Sequence, residues 1–214
     1  MESVGKDMQR EEWLDIFTSE MIPCGTAPRS IVHERGLWHQ TFHAWIATGR
    51  SPAGRLVVQL RGARKDTNPL RLDVSAAGHL EAGESPEEGV REIEEELGLH
   101  VPAGRLHKLG VVAHEVRLGP VWDREFHHLY VAIVPDLSLG VLRPAVDEIA
   151  GIYELSVRDF FDLAFGRRQE AVLTGYRVLP GHLQKDARTA RWTDFVPRSR
   201  PYLDLLAHFF LREG

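Results

Sequence analysis

Three glutamates, Glu92, Glu95 and Glu96, stand at positions i, i+3 and i+4 of the run REIEEELGL. On a helix those positions share one face, so three carboxylates crowd a single patch. Like charges about 4 Å apart repel by roughly 1 kcal/mol in water and about 4 kcal/mol at the effective dielectric of a protein surface. Arg91 can relieve part of this through Glu87 or Glu95, each four residues away, but one guanidinium cannot neutralise the cluster. A hard divalent cation can, because oxygen-only ligands suit Mg2+ or Mn2+. A solvated acidic helix face is the competing reading, and the glutamates alone do not separate the two.

The elements that must hold this patch are marked around it. Ser85 reads as a helix N-cap, Pro86 as the first helical residue and Glu88 as the return half of a capping box. Gly98 reads as the stop, and Val90, Ile93 and Leu97 form an apolar face toward a core. Gly78 and Gly83 have the glycine spacing of a phosphate-binding loop, but Glu84 stands where that loop needs a lysine. Any phosphate bound here must therefore arrive with metal in between. Upstream, Arg61, Arg64 and Lys65 gather cations in RGARKDTNP. Arg61 and Lys65 are candidate substrate-phosphate clamps, one a bidentate fork and one a point charge; the alternative is a solvated loop.

The segment from Arg91 to Leu99 resembles the second half of the Nudix box, and Gly78, five residues, then Glu84 resembles its first half. The spacer from Ser85 to Val90 is one residue shorter than the usual seven. That turns the helix start by about 100° relative to its end and leaves the role of Glu84 open. The resemblance implies an α/β fold, an α/β/α sandwich on a mixed β-sheet; periodicity alone gives only α+β. It further implies that the Gly78 carbonyl, Glu92, Glu95 and Glu96 hold Mg2+ (or Mn2+), with Arg91 bracing the helix. The implied activity is hydrolysis of a nucleoside or other organic diphosphate, with Glu95, Glu96, Glu125 and Glu148 as candidate general bases.

A narrower likeness lies in the histidines, of which the chain has eleven. His33 and His39 in VHERGLWHQTF, His79 after Gly78, and Asp123 and Glu125 in WDREF resemble the metal ligands of isopentenyl diphosphate isomerase, an enzyme of the same fold. The first histidine spacing is one residue shorter and Asp123 replaces a glutamate. The resemblance implies a second metal site at these five residues, whose donor types serve Mg2+, Mn2+ or Zn2+. The isomerase also needs a cysteine just before Gly-His. This chain has Ala76-Ala77 there, and Cys24 lies far away in sequence. An alanine methyl transfers no proton, so isomerisation is disfavoured. A non-catalytic sensor that binds a diphosphate is the other alternative; such domains typically lose box carboxylates, and here all are present.

Composition bounds the rest. The 214 residues, 43% apolar and 27% charged, suit one globular domain with extensions: 1–30, a hydrolase domain over 31–165, and 166–214 packed on the same domain. A net charge of −5 and the lack of a basic run argue against a nucleic-acid polymer as partner. One cysteine, a charged N-terminus and no long apolar run point to a cytoplasmic protein without a membrane partner. The expected partner is a small-molecule diphosphate, and a homodimer is compatible with the resemblance.

In order, residues 1–10 read as a loose tail, and Glu12–Phe17 and Arg29–Glu34 as an N-terminal hairpin turning at Pro23-Cys24-Gly25. Thr41–Thr48 and Leu56–Leu60 read as an antiparallel pair. Leu72–Ala77 delivers Gly78; Leu109–Val116, Glu125–Val134 and Glu148–Leu155 follow as strands, the first two joined at Gly119-Pro120. Ser156 caps a helix over VRDFFDLAF, 166–200 reads as irregular, and Pro201–Arg212 as a terminal amphipathic helix.

Overall fold

The computed structural model describes residues 11–119 and 121–211. The first strands are β1 (Trp13–Phe17) and β2 (Pro23–Pro28), followed by helix α1 (Arg29–Arg35). Then come β3 (Trp38–Ala47), β4 (Arg55–Arg61), β5 (Leu72–Asp73), β6 (Ala76–His79) and helix α2 (Arg91–Leu97). Strands β7 (Leu106–Leu118), β8 (Val121–Ile133) and β9 (Ile149–Ser156) precede helix α3 (Val157–Ala164). Strands β10 (Ala171–Leu179) and β11 (His182–Ala190) and helix α4 (Arg200–Leu211) complete the chain.

All strands belong to one mixed sheet, ordered β11-β10-β9-β4-β3-β1-β2, with β6 and β8 also on β3, β7 on β8 and β5 on β4. Strand β3 is its hub. It runs parallel to β8 from Trp38↔Arg124 to Ala47↔Ile133, and antiparallel to β6, with Thr41 opposite His79 and Phe42 opposite Gly78. Side chains alternate along a strand, so Phe42, Ala44 and Ile46 face one side while Thr41, His43 and Trp45 face the other. Phe42, Ala44 and Ile46 bury against Ile93 and Leu97 of α2. Trp45 packs with Leu129, Phe160, Phe161, Leu206 and Phe210 under α3 and α4. The result is an α/β/α sandwich, and the two sides carry different polar clusters. Ser156 caps α3, its Oγ accepting from the Asp159 N–H at 3.0 Å.

Several local expectations change. The N-terminal hairpin forms, but its second strand is β2, and Arg29–Arg35 is helical. Pro28 ends the strand, Gly36 terminates α1 at φ 62°, and buried Val32 anchors the helix against its β-branched preference. Strands β3 and β4 pair only at Ala47↔Leu56, because β4 spends its length on β9. The strand leading to Gly78 breaks at Val74-Ser75, where the Ser75 Oγ donates to the Val57 carbonyl at 2.6 Å. Residues 166–200, expected to be irregular, form the β10–β11 hairpin, paired from Ala171↔Ala190 to Leu179↔His182. The tail 1–10, Pro120 and Arg212 lie outside the described residues.

Candidate functional site

Gly78 reaches the acidic helix so closely that a Cβ there would collide with the Glu92 carboxylate and force it aside. The expected helix start at Ser85 is replaced by a 3-10 turn over Glu88–Val90 that runs into α2. Glu88 Oε2 still accepts the Ser85 N–H at 2.8 Å, but the Ser85 hydroxyl donates to the same carboxylate instead of capping a backbone amide. The tighter turn absorbs the missing spacer residue, since a 3-10 helix uses fewer residues per turn. Glu84 thereby meets Arg91 as a bidentate partner, at 2.7 Å to Nε and 2.9 Å to Nη2. Arg91 Nη1 also donates to Glu92 and Glu95, at 2.7 and 2.9 Å. Glu87 instead accepts from Lys108 and Tyr130, at 2.9 and 3.0 Å.

Glu92 and Glu96 are 8% and 4% exposed. The Glu95 side chain is 59% exposed and held only by Arg91. Burial is the main cause that pushes the Glu92 carboxyl up to about 7 and that of Glu96 up to about 8, with the Glu148 charge a smaller contribution to both. Glu96 Oε2 accepts from Gln59 Nε2 at 3.0 Å and from the Ala77 N–H at 3.1 Å, which orients the group. Two buried carboxylates that hold protons near neutrality, next to a third, fit a divalent cation: its charge supplies what the protons otherwise must. Of the expected phosphate clamps, Arg61 is committed to Asp73 at 3.0 Å and to the Thr67 carbonyl. Lys65 pairs with Glu148 at 2.5 Å and is the largest favourable charge on Glu96, so it stands at this cluster.

The other side of β3 gathers the histidines. His33, His39 and His79 form a triangle of imidazoles with every centroid separation 5.2 Å. Asp123 approaches His33 and His39 at 3.6 and 3.7 Å, and Glu125 approaches His39 at 3.7 Å. Those distances exceed hydrogen bonds and lie at or just above the roughly 3.3–3.6 Å edge of a tetrahedron whose donors sit about 2.0–2.2 Å from a central ion. The Leu37 carbonyl, which can only accept, takes the Nδ1–H of His39 at 3.0 Å, and buried His39 Nε2 and Asp123 Oδ1 have no hydrogen-bond partner. Such fixing of one ring nitrogen is how metal-binding imidazoles are oriented. Burial holds His33 down to about 3 and lowers His79, while Asp123 is pushed up to about 7. Burial would raise Glu125 as well, but His127 and His39 hold it well below the usual carboxylate range.

Residues 39–174 match the NUDIX domain family. An uncharacterized Nudix hydrolase of Clostridium acetobutylicum is 34% identical over 206 residues, 92% of this chain and 95% of that protein. The chain belongs to the Nudix family. A crystal structure from Deinococcus radiodurans shares the fold with a TM-score of 0.56 at 19% identity, covering 93% of this chain and 99% of that one. An isopentenyl-diphosphate Delta-isomerase of Photorhabdus laumondii is 24% identical over 110 residues, 51% of this chain and 59% of the isomerase.

Within this Nudix domain, Ala77 lies opposite His43 where the isomerase likeness calls for a cysteine, and Cys24 is exposed on β2. Three tryptophans have packing roles: Trp38 stacks on Phe126, Trp192 on Phe195, and buried Trp45 donates to Tyr202. Gln59 and the buried His43, His127 and Arg198 join these surroundings without a sequence motif. For Gln59, His43 and His127 the one signal is a polar residue at an inward strand position, as in LVVQL and TFHAW; Arg198, on a loop before α4, has none. Among the described residues no helix is long and apolar enough to cross a membrane.

Proposed function

We propose that this Nudix protein is a Mg2+-dependent (or Mn2+-dependent) hydrolase that cleaves the diphosphate linkage of a nucleoside diphosphate derivative or other organic diphosphate. The observation that carries the reading is the pair of buried, proton-holding carboxylates, Glu92 and Glu96, packed against Gly78. Divalent ions held by Glu92, Glu95, Glu96 and the Gly78 carbonyl would neutralise diphosphate oxygens and acidify an attacking water. Arg91 keeps Glu92 and Glu95 in place while Glu84 holds Arg91. Gln59 and the Ala77 amide aim Glu96 and leave its Oε1 available. Glu148, set by Lys65 and close enough to raise both buried glutamates, is the candidate base from a later loop. The histidine set with Asp123 and Glu125 is a second candidate metal site, its exposed rim formed by His33, His79 and Asp123.

The test is a panel of nucleoside and isoprenoid-type diphosphates incubated with Mg2+ or Mn2+, products identified by mass. Release of a monophosphate product supports hydrolysis. A product of unchanged mass that retains its diphosphate would mean isomerisation, the reading the histidine set favours and Ala77 opposes. Mg2+ binding with no turnover anywhere in the panel would mean a sensor.

A further inference from the structure

Behind the His33–His39–His79 triangle, deeper under α4, lies another set of metal-capable donors. His43, His127 and Glu125 each offer one ligand atom, all within 4.8 Å of one another. The imidazoles of His43 and His127 lie with centroids 4.2 Å apart, and His127 Nδ1 is 3.5 Å from Glu125 Oε2. Neither histidine is free to turn. His43 Nδ1 contacts the Tyr202 hydroxyl at 3.1 Å, and His127 Nδ1 contacts the Thr41 hydroxyl at 3.0 Å. Tyr202 is itself set by Trp45 Nε1 at 3.0 Å. Yet His127, 1% exposed, has its Nε2 buried with no partner. A folded core rarely leaves such a nitrogen bare.

We propose that His43, His127 and Glu125 form a buried site for a transition-metal ion of the Zn2+ class, between β3, β8 and α4, with Glu125 shared by the neighbouring histidine triangle. Two nitrogen donors and one carboxylate select a borderline metal over Mg2+. Hydroxyls on Thr41 and Tyr202 orient the rings, as outer partners of metal ligands do. His114, whose ring centroid lies 5.1 Å from His127, supplies a further imidazole beside the set. His43 is 4% exposed, so the site is closed to substrate and serves to tie α4 to the sheet. Arg198 is a nearby cation that opposes the ion, and Asp73 already pairs with it.

The site stands or falls independently of the hydrolase reading. Apo-protein, stripped with a chelator, is equilibrated with Zn2+ in a large excess of Mg2+, and the retained zinc is counted by mass spectrometry. Wild type should retain about two ions per chain, one for each histidine set, and raise its melting temperature on loading. His43→Gln and His127→Gln should each retain about one, and His33→Gln should also retain about one. Full zinc retention by the His43 and His127 variants, or a single ion in wild type that only His33→Gln removes, overturns the proposal. Should those variants fail to fold, anomalous scattering at the zinc edge from soaked wild-type crystals decides. A peak between His43 and His127 supports the site; a peak only within the His33 triangle, or none, refutes it.

Discussion

The two faces of strand β3 meet the same problem with different chemistry. On the α2 face, Glu92, Glu95 and Glu96 crowd acceptors together with one guanidinium, and burial drives the two inner carboxyls toward their protonated forms. On the α4 face, imidazoles outnumber carboxylates. Burial pushes His33, His43 and His127 toward neutrality, while Glu125 stays ionised and raises His39 beside it. Oxygen-only donors beside Gly78 suit a hard ion that must also meet a diphosphate. Nitrogen donors locked by Thr41, Tyr202 and Leu37 suit a tighter, borderline ion with less need of access. One sheet thus separates two donor sets by the alternation of Gly78 and His79 along β6.

The sharpest break of that symmetry is at the glutamates. Glu96→Gln and Glu92→Gln should each lower Mg2+-dependent phosphate release by about 10²–10⁴-fold, with circular dichroism unchanged and zinc retention by the histidines intact. Loss of zinc in these variants would mean that the faces are one site. On the α4 face the largest effect should come from Asp73, 4% exposed and holding both Arg61 and Arg198. Asp73→Ala leaves two guanidiniums without their anion and should cost about 3–5 kcal/mol in urea unfolding. Gly78→Ala should be milder, about 1–3 kcal/mol, because Glu92 can be pushed aside. Its distinguishing mark is weakened Mg2+ affinity in calorimetry with the histidine set unaltered.

What the chain disclosed by itself follows from how local each signal is. The glutamate patch was legible because its residues lie within one helical turn and a half, and α2 needs only that register. The triangle of His33, His39 and His79 with Asp123 and Glu125 was legible only through likeness, since β3, β6 and β8 bring together residues some ninety positions apart. His43 and His127 carried no spacing at all; their proximity is a product of parallel pairing between β3 and β8. The partner of β4 was missed for the same reason, because β9 lies far along the chain while β3 is adjacent. The β10–β11 hairpin was hidden by its polar faces, although Pro180-Gly181, with φ 80° at Gly181, marked its turn. At Arg29–Arg35 tertiary burial of Val32 overrode β-branched propensity.

The gentlest discriminator is pH, because His33 and His43 titrate with the opposite sign to Glu92 and Glu96. His33 and His43 hold protons only below about 3 in the folded protein, against an ordinary value of 6.5. At these two residues the unfolded chain therefore binds more protons between those values, and their contribution to stability grows as pH rises through that window. Glu92 and Glu96 are raised from 4.5 to about 7 and about 8. There the folded chain binds more protons, so this face loses stability as pH rises from about 4.5 to about 8. In chelator these contributions oppose one another between about 4.5 and 6.5; above 6.5 the glutamates act in the same direction as Asp123, pushed up to about 7, and His39, raised by Glu125. The melting temperature of metal-free protein should accordingly fall by a few degrees from about pH 6.5 to pH 8, at about 2–4 °C per kcal/mol. Added Mg2+ should reduce the fall, since the ion takes the place of the protons on Glu92 and Glu96, and Glu96→Gln should make it shallower without metal. A fall as steep in Glu96→Gln as in wild type would place the responsible group elsewhere and remove Glu96 from the electrostatic contrast.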